Sequence, residues 1–207
     1  MKTTIFFLPL FFLCLLSVSL SAQKLTPEEV IAKHLEAIGA EETRASIKTR
    51  VLVGEAKVRV KAGRLGEAGG PAVMASENEK HLIGITLGSA NYPHEKLGYD
   101  GKTLKVAYLR PGERSTIGNF FVTNPFFFRE GLLGGVLSTA WALGNLKAHD
   151  AKIVYGGVKK IGDQQAHELE YLPKKGANFS IKLYFDADTF RHIRSEYLMV
   201  VGATQAA

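Results

Sequence analysis

"AHELEYLPKKGANFSIKLYFDADTFRHIRSEYLMV", residues 166–200, decides the fold. Three runs within it, residues 166–172, 180–186 and 192–200, are rich in β-branched and aromatic side chains and are bounded by turn residues. Lys175-Gly176 and Asp186-Ala187-Asp188 supply the connections, because glycine accepts positive φ and an aspartate carboxylate bonds the amides that follow it. Successive strands joined by tight turns pair with one another, so the stretch reads as an antiparallel meander. Alternation along the middle strand puts Leu183 and Phe185 on one face.

Upstream the same period of two recurs. In "RVLVGEAKVRVK", residues 50–61, Leu52, Gly54, Ala56, Val58 and Val60 share one face, and Glu55, Lys57, Arg59 and Lys61 share the other. Residues 80–88, 102–110 and 152–160 read as further strands, with turns at Asp100-Gly101 and Ile161-Gly162-Asp163. The intervening "AGRLGEAGGPA", residues 62–72, reads as a long glycine-rich loop. About seven strands in sequence, joined by short links, give one meander with a wet face and an apolar face. A helix is expected across part of the apolar face.

That helix lies ahead of the strands, in "LTPEEVIAKHLEAIG", residues 25–39. Thr26 is placed to cap it, Pro27 takes the first helical position, and Glu29 closes a capping box. Leu25 and Val30 are spaced for a hydrophobic staple. Val30, Ile31, Leu35 and Ile38 form the apolar stripe, with His34 at its boundary, and Gly39 stops the helix. A second short helix is expected over residues 41–47.

Before the helix stands a secretory signal peptide, residues 1–22: Lys2, an apolar run over residues 5–16, then Ser17, Ser19, Ser21 and Ala22. Its apolar core of about a dozen residues is shorter than the roughly 20 a membrane span needs. Cys14 follows Leu13 in mid-core, so it reads as filler and not as a lipidation site. The mature chain, residues 23–207, then has no cysteine and reads as one domain without disulfides or thiol chemistry. The formal charge is +6. The basic residues are scattered and no block of five or six occurs, which argues against nucleic acid and permits at most a modest attraction to an anionic membrane surface or an acidic partner.

The search for chemistry returns little. Six histidines occur, none at a ligand spacing, and no HExxH exists, so no metal site is expected. No GxSxG elbow occurs, and Gly134-Gly135 and Gly156-Gly157 lack the surroundings of a nucleotide loop. No cofactor and no catalytic group is assigned, because an active site needs convergent titratable groups.

Apolar surface is abundant instead. "FFFREGLLGGVLSTAWALG", residues 126–144, is almost long enough to span a bilayer, but Arg129 and Glu130 would each cost at least about 2.5 kcal/mol at its centre. Gly131, Gly134 and Gly135 break any helix begun at Pro125, and residues 136–143 read as a short helix buried on several sides. Two readings stay open. The segment is a core helix and connector between strands, or Phe126, Phe127, Phe128, Leu132, Leu133, Leu137 and Trp141 form the wall or lid of an apolar cavity.

"EEVIAKHLEAIGA" (residues 28–40), "YDGKTLKVAYLRPG" (99–112), "EGLLGGVLSTAW" (130–141) and "HELEYLPKKGANFSIKLYFDADTFRHIRSEY" (167–197) together resemble exported bacterial proteins of the outer-membrane lipoprotein-sorting superfamily, the LolA/LolB-like proteins. The resemblance covers residues 26–197. It implies an α+β fold: a curved antiparallel β-sheet, an incomplete barrel, with helices covering the concave face and acyl chains held in the hollow. It implies a periplasmic carrier or receptor of a Gram-negative bacterium, not an enzyme, whose partners are lipid or lipoprotein acyl chains and a membrane surface or membrane-bound protein; a monomer is expected. Relatives of this kind continue past the "RSEY" strand with another strand pair, whereas this chain ends in "LMVVGATQAA", so a half-barrel missing an edge is expected. Strand parity adds Val58, Val60, Ile83, Ile85, Leu104, Val106, Leu183 and Phe185 to the lipid-binding set. Two rivals remain: a scaffold on the same fold with a filled core, binding protein at a strand edge, and a small exported hydrolase whose polar pocket would involve His94, His149 or Asp163.

Overall fold

The computed structural model describes residues 25–59, 66–173 and 178–199; the expected signal peptide, Val60, the turn expected at Lys175-Gly176 and residues 200–207 lie outside these. Helix α1 (Pro27–Ala37) starts as its sequence dictates. The Thr26 side chain accepts from the Glu29 amide at 3.2 Å, and the Thr26 amide donates to the Glu29 carboxylate at 2.7 Å. A short α2 (Glu41–Ser46) follows.

Among the described residues, nine strands form two antiparallel sheets. β1 (Thr49–Arg59), β2 (Glu67–Glu77), β3 (Lys80–Ser89), β4 (Tyr92–Tyr99) and β5 (Leu104–Val106) pair in sequence order in the first; β6 (Lys152–Ile161), β7 (Gln164–Leu172), β8 (Phe179–Asp186) and β9 (His192–Met199) do so in the second. Each sheet is a meander, and among the described residues neither closes into a barrel. The expected single meander therefore divides, because residues 107–151 leave the sheet. They hold α3 (Thr116–Thr123), α4 (Phe126–Arg129), single 3-10 turns at Gly135–Leu137 and Ala142–Asn145, and α5 (Leu146–His149).

Three expectations are corrected. The glycine-rich loop is strand β2 from Glu67 onward, in register with β1 at Val53↔Val73 and with β3 at Met74↔Ile83. Its glycines are needed for close approach: a Cβ on Gly70 would lie 2.3 Å from the Thr86 carbonyl oxygen. Pro71 is tolerated because pairing with β3 begins only at Ala72. The strand expected over residues 102–110 pairs with β4 only from Leu104 to Val106, and Arg110 forms an isolated bridge to Glu113. Residues 136–143 are not one helix, since Ser138 is extended between the two 3-10 turns.

The main core covers the inner face of the second sheet. Leu169, Tyr171, Ile181, Leu183 and Phe185, all fully buried, meet Val30 and Ile31 of α1 and Phe126, Phe127, Leu132, Trp141 and Leu143 of the connecting segment. A smaller cluster on the first sheet joins Leu97, Tyr99 and Val106 to Phe128. His34, expected at the boundary of the helix stripe, is fully buried.

Candidate functional site

The connecting segment lies between the two inner faces. Consecutive residues of α4 point opposite ways. Phe127 packs on Phe179 and Tyr197 of the second sheet, ring centroids 5.2 and 4.9 Å away, whereas Phe128 packs on His81 and Tyr99 of the first, at 6.1 and 5.8 Å. Gly131, Gly134 and Gly135 then hold φ of +64°, +83° and +51°, a region that strongly favours glycine. At Gly131 no side chain fits, because a Cβ would fall 1.7 Å from the Ala140 carbonyl oxygen. Hydrogen bonds tie this strap to both sheets. Arg50 Nη1 donates to the Val136 carbonyl at 2.5 Å, the Thr139 amide to Ser76 Oγ at 3.0 Å, and Thr139 Oγ1 to the Asn78 carbonyl at 2.8 Å. From the other side Tyr197 donates to the Leu132 carbonyl at 2.8 Å.

Three histidines border the strap. Trp141 Nε1 donates to His34 Nε2 at 2.9 Å, which fixes the His34 proton on Nδ1, where it donates to the Phe190 carbonyl at 2.8 Å. Burial pushes the His34 pKa below the usual histidine value. His192 lies with its ring 5.1 Å from that of Trp141, and burial followed by repulsion from His34 lowers it to about 4. His81 Nδ1 sits 3.4 Å from Ser138 Oγ, and its Nε2 is buried without a partner among the described residues. Burial lowers the His81 pKa, and among the described residues neither His81 ring nitrogen is hydrogen-bonded to a carboxylate, the place a third member of a nucleophilic triad would take. Among the described residues no three His, Cys, Asp or Glu side chains are grouped to hold a metal.

A cavity of about 670 Å3 opens where α1 ends, between the β2–β3 turn and the turn before β9. Leu35, Ile38, Ile47, Val136 and Trp141 give it apolar walls, and Arg44, Arg50, Arg129 and Arg191 give it charge. Of the lipid-binding side chains assigned from sequence, only Trp141 lines it, and of the three residues named for a hydrolase pocket His149 lines it too. Phe126, Phe127, Leu132, Leu183 and Phe185 lie in the main core, and Phe128, Leu133 and Val106 in the smaller cluster. Val58, Ile83, Ile85 and Leu104 are half-buried on the inner face of the first sheet, and Val60 lies outside the described residues. Leu137 is 52% exposed. His94 is on β4, His149 on α5 with Nδ1 3.7 Å from the Glu130 carboxylate, and Asp163 in the β6–β7 turn. The four arginines escaped the sequence reading because positions 44, 50, 129 and 191 carry no spacing signal; only the fold gathers them.

With this geometry in hand, comparison with solved structures finds likenesses. A LolA superfamily protein from Nitrosomonas europaea is 14% identical, with 86% of this chain and 74% of that chain covered and a TM-score of 0.42. A DUF1329 family protein from Desulfovibrio piger is 10% identical, with 83% and 73% covered and a TM-score of 0.34. An outer membrane lipoprotein-sorting protein domain from Vibrio parahaemolyticus is 11% identical, with 82% and 73% covered and a TM-score of 0.34. No family model matches the chain, and no curated protein does. Among the described residues no helix is long and apolar enough to cross a membrane.

Proposed function

We propose that this is an exported, periplasmic carrier that binds the acyl chains of a lipid or lipoprotein by burial alone, without catalysis. One observation carries the reading: the inner face of the first sheet is apolar over β1 to β3 and only half-covered. Leu52, Val58, Ala72, Met74, Ile83 and Ile85 share that face by register and are all half-buried. Beside them the strap offers a fixed edge, since Gly134 seats directly over Met74 and hydrogen bonds from Arg50, Thr139 and Tyr197 hold the segment. Covering about 300 Å2 of acyl chain there at ~25 cal/mol per Å2 is worth about 7 kcal/mol before ordering costs. The sequence resemblance to lipoprotein-sorting proteins supports the same reading.

The test uses the two faces of β1. An apolar fluorescent probe is expected to be taken up by the wild type and by Val53→Asp, whose parent side chain is 82% exposed on the outer face, and to be lost by Val58→Asp on the inner face. Lipid found by native mass spectrometry on protein from a membrane-rich extract supports the same conclusion. A second reading, a protein-binding module used at a strand edge, is favoured by the tight stacking of Phe126, Phe127 and Phe179, which leaves no hollow at the aromatic cluster. Absence of both lipid and probe binding decides for that reading.

A further inference from the structure

The cavity at the end of α1 has a composition that an acyl-chain site does not require. Arg44 comes from α2, Arg50 from β1, Arg129 from α4 and Arg191 from the turn before β9, so four separate elements each bring an arginine to the lining of one space. Two carboxylates, Glu41 and Glu79, also line it, which leaves the four cations in excess. Among the described residues none of the four arginines is ion-paired. Arg44 uses its Nε–H on the Gly39 carbonyl at 2.9 Å and Arg50 one Nη on Val136, so each keeps donors from a set of five. Arg129 and Arg191 donate no side-chain hydrogen bond within the described residues.

Gathering like charges repels unless an anion sits among them, and guanidinium forks match the oxygens of phosphate or carboxylate. A carboxylate has two oxygens to offer; a phosphate monoester offers three and a second charge, which suits arginines supplied by four separate elements. Part of the cavity wall is apolar, with Leu35, Ile38, Val136 and Trp141, so the anion should carry a hydrocarbon chain. Its volume falls within the roughly 300–1,000 Å3 of small-molecule sites. Arg50 and Leu52 share one face of β1, so the charged cavity adjoins the apolar inner face.

We propose that this cavity holds the phosphate headgroup of an acidic amphiphile, an inference that rests on the acyl-chain reading and names the headgroup that reading leaves open. Trp141, the one tryptophan of the chain, lines the cavity and reports on it. The full mature protein is titrated with dodecyl phosphate below its micelle concentration, with dodecyl maltoside, and with inorganic phosphate, following Trp141 emission. Dodecyl phosphate is expected to bind about tenfold or more tighter than dodecyl maltoside, and inorganic phosphate to leave the emission unchanged over the same range. The variant Arg129→Gln with Arg191→Gln, both exposed positions, is expected to keep its thermal midpoint, lose about tenfold for dodecyl phosphate and bind dodecyl maltoside as before. Equal binding of the two amphiphiles, or an unaffected double variant, overturns the headgroup assignment and leaves the acyl-chain reading standing. Inorganic phosphate binding as tightly as dodecyl phosphate overturns it in favour of a free-anion site. Binding of neither amphiphile overturns both.

Discussion

The strap depends on glycine at position 131 more than anywhere else, and Gly131→Ala tests that dependence against a matched control. Gly131 and Gly162 have nearly the same backbone, φ +64° and +61°, so alanine pays the same left-handed penalty at both, about 1–2 kcal/mol. They differ in their surroundings. A Cβ on Gly162 meets nothing within 4 Å, whereas one on Gly131 falls 1.7 Å from the Ala140 oxygen, 2.9 Å from its carbonyl carbon and 3.2 Å from the Ala142 nitrogen. Those atoms are backbone, and Trp141, Ala142 and Leu143 beside them are buried, so relief requires moving a packed segment. Overpacking of this kind costs about 1–3 kcal/mol, and loss of the Ala142 N–H to Gly131 bond of 3.1 Å adds about 1 kcal/mol. Gly131→Ala is therefore expected to lose about 2–4 kcal/mol more than Gly162→Ala in urea unfolding followed by circular dichroism, with an altered Trp141 emission in the folded state. If the two variants agree within about 0.5 kcal/mol, the strap is not pinned as described and its role as a fixed edge of the site falls.

The buried histidines set a pH dependence. His34, His81, His167 and His192 all have folded pKa values below the ordinary 6.5, with His192 at about 4, so their contribution is complete above about pH 6.5 and is lost as the pH falls toward 4. Up to about 3 kcal/mol comes from His192 alone, and unfolding midpoints measured from pH 8 to pH 4 should fall through that window and not above it. His34→Leu strands the Trp141 indole N–H and the Phe190 carbonyl in the core and should cost about 2–4 kcal/mol by denaturant titration. Phe127→Ala opens a hole among Phe120, Phe126, Phe179 and Tyr197 and should cost about 3–5 kcal/mol in the same assay. Val53→Thr, on the outer face, should stay within about 0.5 kcal/mol of the wild type.

Local rules made much of the fold readable. The capping box at Thr26 and Glu29 is present atom for atom, and β6 to β9 fall where period-two patterning places them, with Asp186 Oδ1 closing the last turn on Thr189. What escaped was tertiary in cause. β2 contains Gly69, Gly70 and Pro71, which read as loop, yet the strand needs two glycines where β1 and β3 press against it. β4, the strand of Tyr92 and Tyr99, opens with Tyr-Pro-His-Glu, and its buried Glu95 is acceptable only because Tyr92 donates to it at 2.6 Å. His34 reads as a boundary residue until both ring nitrogens are seen to be bonded.

The aromatic segment explains why the arginine-lined cavity lies beside Phe126, Phe127 and Phe128 and not among them. Parity and hydrophobicity identify side chains that avoid water, but they do not distinguish a filled interior from a hollow one. Phe126, Phe127 and Phe128 are all at or below 6% exposure because they act as a wedge, Phe127 against one sheet and Phe128 against the other. A wedge fills the gap at its own position and holds the sheets apart beyond it. The unfilled remainder is bounded by Asn78 and Glu79 at the turn of one sheet and by Arg191 at the turn of the other, with the strap residues Val136 to Trp141 between. The arginines of the proposed headgroup site are scattered over helix ends, a strand and a turn, a class that period-based reading passes over. The aromatic run thus positions the site without lining it, so shortening the wedge should collapse the cavity and abolish the Trp141 response to dodecyl phosphate even though no arginine has been touched.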